Sequence, residues 1–191
     1  MKLLTKAFLF LCIISSFSCS LNYTTENVPE AKVPEFIFTN ASLYRYEKNK
    51  ISMKLNAENL EQYKNKNESY AKKASFYTFN ENNEIETEGS CYFLAMDSKK
   101  EIYTLFNNVL IKHHPQHITL KAQNLLWNGN TEQLISGKQD KVFLTKDNLQ
   151  VEGTGFSASS ISNSYKFLDN VKGSFIQNED SNTSEENNEE K

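Results

Sequence analysis

The sequence predicts an all-β protein made of antiparallel sheet, and three observations carry that prediction. Between Pro34 and Ile176 apolar and polar residues alternate with a period of two in one run after another. The runs recur at roughly every dozen residues, as in sandwiches, jelly rolls and barrels. The links between them are short clusters rich in Asn, Asp and Gly, residues that accept the left-handed backbone of tight turns. Thirteen Phe and nine Tyr can fill a core, while six Gly and three Pro in 191 residues exclude a collagen-like or linker-rich chain.

Taken in order, the first strand is expected over Phe36 to Tyr44. The second places Ile51, Met53, Leu55 and Ala57 on one face and Ser52, Lys54, Asn56 and Glu58 on the other, as in a half-buried strand. Asn59 to Lys73, with Glu61, Lys64 and Lys66, reads as a polar loop or short turn. Ala74 to Phe79 is the next strand. Then Glu84, Glu86 and Glu88 alternate with Ile85, Thr87 and Gly89, and the apolar face continues through Cys91 and Phe93, with Gly89 a candidate bend. Further strands are expected over Ile102 to Ile111, Ile118 to Leu126, Lys141 to Thr145, Leu149 to Ala158 and Val171 to Ile176. A faint internal echo joins Leu55-Asn-Ala57-Glu-Asn-Leu60 to Leu120-Lys-Ala122-Gln-Asn-Leu125, each with an aromatic soon after.

The two ends are of a different kind. Lys2 and Lys6 precede the apolar run Ala7 to Ile14 and the small-residue stretch Ser15 to Ser18, the layout of an export signal over residues 1–18. The apolar run is far shorter than the ~20 residues of a membrane-spanning helix, so cleavage is preferred to an uncleaved N-terminal anchor. Ser16-Phe17-Ser18-Cys19 resembles a bacterial lipobox that has Ser where Leu is usual, which makes Cys19 the candidate lipidation site. Residues 19–33 would then be a tether. At the other end, residues 177–191 hold six acidic residues, one Lys and no apolar residue, a composition that cannot bury a core and predicts a disordered acidic tail.

A length of 191 residues suits one domain, here residues 34–176. The net charge of −3 comes from the tail, the body being nearly balanced, so nucleic acid is an unsuitable partner. Three cysteines, one in the leader and one directly after it, exclude a disulfide scaffold.

In the C-terminal half the order of pieces is more informative than any one of them. Leu120-Lys-Ala-Gln-Asn-Leu-Leu-Trp127-Asn is followed by Glu132-Gln-Leu-Ile-Ser-Gly137, Val142-Phe-Leu-Thr145, Leu149-Gln-Val-Glu-Gly153-Thr-Gly155-Phe156 and Val171-Lys-Gly173. In this order and spacing, after an export leader, the chain resembles the LptC/OstA-type periplasmic proteins of the lipopolysaccharide-export transporter. The resemblance implies an antiparallel, twisted, partly open β-jelly roll that holds acyl chains on its inner face and has no cofactor. It also implies a non-enzymatic bridge component that takes lipopolysaccharide or another amphipathic glycolipid from inner-membrane ABC transporter permeases. That component passes it towards the outer membrane, to a periplasmic OstA-type protein joined by edge-strand pairing. The family usually carries a transmembrane anchor, where this chain offers a lipobox and, favoured, an inner-membrane location in the periplasm.

The alternation names the inward residues of such a groove: Ile51, Met53, Leu55, Phe76, Phe93, Ile118, Leu120, Val142, Leu144, Val151 and Phe156. The first and last strands are the candidate pairing edges. His113-His114-Pro115-Gln116-His117 reads as a solvated hairpin connection in preference to a metal site, having no carboxylate within it. Cys91 reads as a small buried hydrophobe, Glu86 and Glu88 as solvated charge on the outer face, and Trp127 as a core residue in preference to a rim aromatic. No phosphate loop, HExxH or nucleophile elbow occurs. The alternative function is an exported lipoprotein that binds a protein or glycan through loops over a closed interior. An enzyme would rest only on the scattered carboxylates and the histidines.

Overall fold

A computed structural model of the chain describes residues 33–63 and 67–176. The expected leader, Cys19, the tether through residue 32 and the acidic tail lie outside the described residues.

The described residues form twelve strands and one 3-10 turn. β1 (Phe36–Glu47), β2 (Lys50–Tyr63), β3 (Glu68–Phe79), β4 (Ile85–Asp97), β5 (Ile102–His113) and β6 (Ile118–Asn128) form an antiparallel meander, with the turn His114–Gln116 between the last two. Beyond β6 the sheet forks. The first half of β6 pairs with β8 (Lys141–Lys146), which leads to β9 (Leu149–Thr154) and β12 (Asp169–Phe175). Its second half pairs with β7 (Gln133–Ile135), which leads to β10 (Ser157–Ser159) and β11 (Ser164–Lys166). One set of long strands therefore serves two wings, and the sheet does not close into a barrel. This is the partly open antiparallel jelly roll that the family resemblance implies.

The wings face each other because β2, β3, β4 and β6 all change their inward parity at the same level. Inward residues run Ala57 then Leu60 in β2, Ala71 then Ala74 in β3, Cys91 then Leu94 in β4, and Ala122 then Leu125 in β6, all buried. A step of three in place of two keeps the apolar side inward while the strand bends. In β5, Leu105 and Val109 flank Asn107 and Asn108, which have φ of 59° and 55°. Asn40 in β1 (φ 53°) and Lys73 in β3 (φ 49°) fall on the same line. Asn tolerates the left-handed region better than other non-glycine residues, so three of these four positions carry it. On the outer side of the bend Lys73 forms an ion pair with Glu58, and Lys72 lies over the Tyr92 ring.

Three expectations are corrected. The expected loop is strand at both its ends: β2 continues through Asn59 to Tyr63 and β3 begins at Glu68, with Leu60 and Ala71 inward. Cross-strand aromatic contacts support this stretch from outside, Tyr63 to Tyr70 (5.6 Å), Tyr70 to Phe93 (5.9 Å) and Phe93 to Phe106 (6.1 Å). The run Leu149 to Ala158 is two strands, broken at Gly155 (φ +64°), where the chain crosses from one wing to the other. β7 and β11, strands of three residues each, fall between the expected strands and are too short for alternation to show.

Leu60, Leu125, Val142 and Phe156 are the largest fully buried side chains. Phe156 lies at the wing crossing, its ring 5.2 Å from that of Phe167, and closes that end of the interior.

Candidate functional site

Between the wings the interior is not filled. A cavity of about 550 Å³ lies there, within the ~300–1,000 Å³ typical of ligand pockets. One wing supplies Met53, Leu55, Phe76, Ile111, Ile118 and Leu120, and the other Leu94, Met96, Tyr103, Leu105, Trp127 and Leu134. Both walls come from the apolar face that the bend keeps inward on either side of the fold line. Gly89 shapes one wall: it pairs with Phe76, and a Cβ there would stand 2.1 Å from Phe76 Cζ. The Phe76 ring thus lies over Gly89 because nothing else does.

The mouth lies at the strand ends farthest from the fold line and is polar. Two bulges shape it. Arg45 pairs with Met53 but Tyr46 with Ile51, leaving Ser52 as an extra residue; Thr78 pairs with Thr87 but Phe79 with Ile85, leaving Glu86 extra. Bulges re-aim side chains at rims, and both Ser52 and Glu86 join the cavity lining. Two hydrogen-bonded clasps span the gap between wings. Arg45 Nη2 donates to Tyr103 Oη at 3.2 Å, a bond that raises the affinity of the guanidinium for its proton. Gln116 in the turn donates to Asn163 Oδ1 (3.2 Å) and accepts from the Tyr165 hydroxyl.

Of the eleven inward residues expected from sequence, Met53, Leu55, Phe76, Ile118 and Leu120 line the cavity. Val142, Leu144 and Phe156 are buried in the core without lining it. Val151 is half-buried opposite Leu144, and Ile51 is half-buried at the start of β2. Phe93 is on the wrong face: alternation continued from Cys91 passes over the three-residue step to Leu94, so Phe93 falls outside against Tyr70 and Phe106. Trp127 packs against the core and also lines the cavity.

Glu88 is on the outer face as expected, 2.8 Å from Lys112 Nζ, which holds its carboxyl below the usual range. Glu86 is not, because of its bulge. The histidines do not converge on one point: His113 Nδ1 is 3.1 Å from Thr87 Oγ1, His114 Nε2 is 3.9 Å from Glu88, and His117 Nδ1 is 3.0 Å from Asp147. The Cys91 thiol is buried, and desolvation pushes its pKa up to about 11, which suits a core residue and not a nucleophile. Sequence reasoning missed Arg45, Tyr103, Gln116, Leu134 and Tyr165. They approach from elements far apart in the chain, and only the wing pairing brings them together.

The geometry invites comparison with known proteins. A search of curated proteins finds no match. The chain is similar to the crystal structure of LptH from Pseudomonas aeruginosa, described as the LptA homologous periplasmic component of the conserved lipopolysaccharide transport device. That match has a TM-score of 0.52 at 10% identity and covers 65% of this chain and 95% of the other, so it supports the jelly-roll fold. Residues 6–176 match the family model described as lipopolysaccharide-assembly, LptC-related. By that match, which spans most of its length, the chain belongs to the LptC-related family of lipopolysaccharide-assembly proteins.

Proposed function

We propose that the chain is a non-enzymatic periplasmic bridge component. It receives lipopolysaccharide or a related glycolipid from an inner-membrane ABC transporter and passes it between its wings towards the outer membrane. The observation that carries this reading is the unfilled apolar cavity with a polar mouth. Acyl chains gain ~0.8 kcal/mol for each CH₂ taken from water, while the sugar head stays at the hydrated rim. Membership of the LptC-related family supports the cargo class. A lipid on Cys19 would hold the body near the membrane, with residues 19–33 as the tether. A protein or glycan binder acting through its loops would have a packed interior, and the cavity counts against that alternative.

A photo-crosslinking amino acid placed at Met53, Phe76 or Leu120 should capture glycolipid in cells. The same group at Phe143, exposed on β8 between the inward Val142 and Leu144, should not. Adducts at Phe143 equal to those at the three cavity positions, or none anywhere, would remove the reading.

A further inference from the structure

The charges around the mouth say which head group it suits. Among the described residues lining the cavity, Arg45 is the one Lys or Arg, whereas Glu47 and Glu86 are both carboxylates. Arg45 is already engaged. It donates to Tyr103 across the gap, and Glu47 and Glu101 are near enough to interact with its charge. An arriving phosphate would meet one guanidinium, its charge offset by Glu47 and Glu101, and would face two lining carboxylates, Glu47 and Glu86, as it lost water. The rest of the mouth holds the His113 imidazole, 3.1 Å from Thr87 Oγ1, and the hydroxyls and amides of Ser52, Thr87, Gln116, Ser160 and Asn163. Sugar hydroxyls can donate to carboxylates in charge-assisted hydrogen bonds and exchange others with Ser, Thr, Asn and Gln.

Glu86 matters most to this argument, because regular alternation would send it outward beside Glu88. The bulge at Glu86 brings a carboxylate to the mouth that an unbroken strand would have kept outside. We propose that the mouth selects glycolipids with an uncharged, hydroxyl-rich head and disfavours heads that carry phosphate next to the acyl chains, with Glu47 and Glu86 as the discriminating residues. This inference rests on the reading of the cavity as an acyl-chain site.

The test uses the purified full chain and two ligands with the same acyl framework. One is bisphosphorylated lipid A, the acylated disaccharide of lipopolysaccharide, and the other is the same molecule with both phosphates removed. Each is titrated against a fluorescent fatty-acid probe held by the protein. The dephosphorylated form should displace the probe at a concentration about tenfold lower. The ratio should fall towards one in the E47Q/E86Q double variant, a near-isosteric change at the rim. The E88Q variant, altered on the outer face, should keep the wild-type ratio. Equal or tighter binding of the phosphorylated form, or a ratio that the double variant leaves unchanged, would overturn the inference and leave the lipid reading standing. Failure of both forms to bind the wild-type chain would remove the lipid reading itself, and this inference with it.

Discussion

Phe76 owes its position to the absence of a side chain on its partner. Gly89 is buried directly opposite it in the β3–β4 register, and its missing Cβ leaves room for the ring. The sequence suggested a bend at Gly89. Its backbone does not require glycine on conformational grounds, since the glycine with positive φ is Gly155, and the bend falls three residues later at Tyr92. What Gly89 supplies is space, which alternation of apolar and polar letters cannot reveal. Substitution G89A would place a methyl where the ring lies, and the ring's open direction is the cavity. The variant should fold at a cost of about 1–2 kcal/mol, read as a lower denaturation midpoint, and bind an acyl probe several-fold more weakly because the displaced ring occupies the site. Unchanged probe affinity in a folded variant would show that Phe76 does not border the space the chains use.

At the scale of the element, the alternation was legible almost everywhere and failed where the strands bend. Met53, Leu55, Ile118 and Leu120 are on one side of the fold line and were read correctly as inward; Phe93 is just past it and was not. The failure has a visible signature in hindsight. Leu55-Asn-Ala57-Glu-Asn-Leu60 and Leu120-Lys-Ala122-Gln-Asn-Leu125, which sequence analysis could treat only as an echo, are two strands crossing the same line, and all six apolar residues are buried. The step from Ala to Leu over two polar residues is the bend written in sequence. In β5 the bend is made differently, by Asn107 and Asn108 in the left-handed region. Replacing Asn107 by Val should therefore destabilise the fold by about 1–2 kcal/mol, the cost of that region for a branched L-residue, whereas N107G should be near neutral or better. Denaturant midpoints of the two variants check this directly. Equal midpoints would mean that the bend does not depend on the β5 backbone.

For the molecule as a whole, the jelly roll was legible because periodicity, turn chemistry and family-like spacing agreed. The mouth was not, because Arg45 and Tyr103, or Gln116 and Tyr165, meet only after β6 has divided between its two wings. That division also leaves strands at the sheet margins with a neighbour on one side only, among them β1 and β12. β1 is twelve residues long and exposes Ile37, Phe38, Leu43, Tyr44 and Tyr46, while β12 and its exit expose Val171, Phe175 and Ile176. Long apolar edges normally invite uncontrolled pairing, and proteins blunt them with lysine; β1 carries none and β12 one, Lys172. If β1 of one copy adds to β12 of the next, the contact is heterologous and does not close, so assembly grows with concentration. Substituting I37K/L43K would disable one end, and V171K/F175K the other. Each variant alone should remain monomeric in sedimentation velocity at concentrations where the wild type associates. An equimolar mixture should form dimers and stop there, since each pair then presents one disabled end on either side. Pairing of β1 with β1 gives a different pattern, in which the β12 variant still dimerises alone. Association that neither pair of lysines affects would mean that the strand edges do not carry the contact, and the bridge would need another surface.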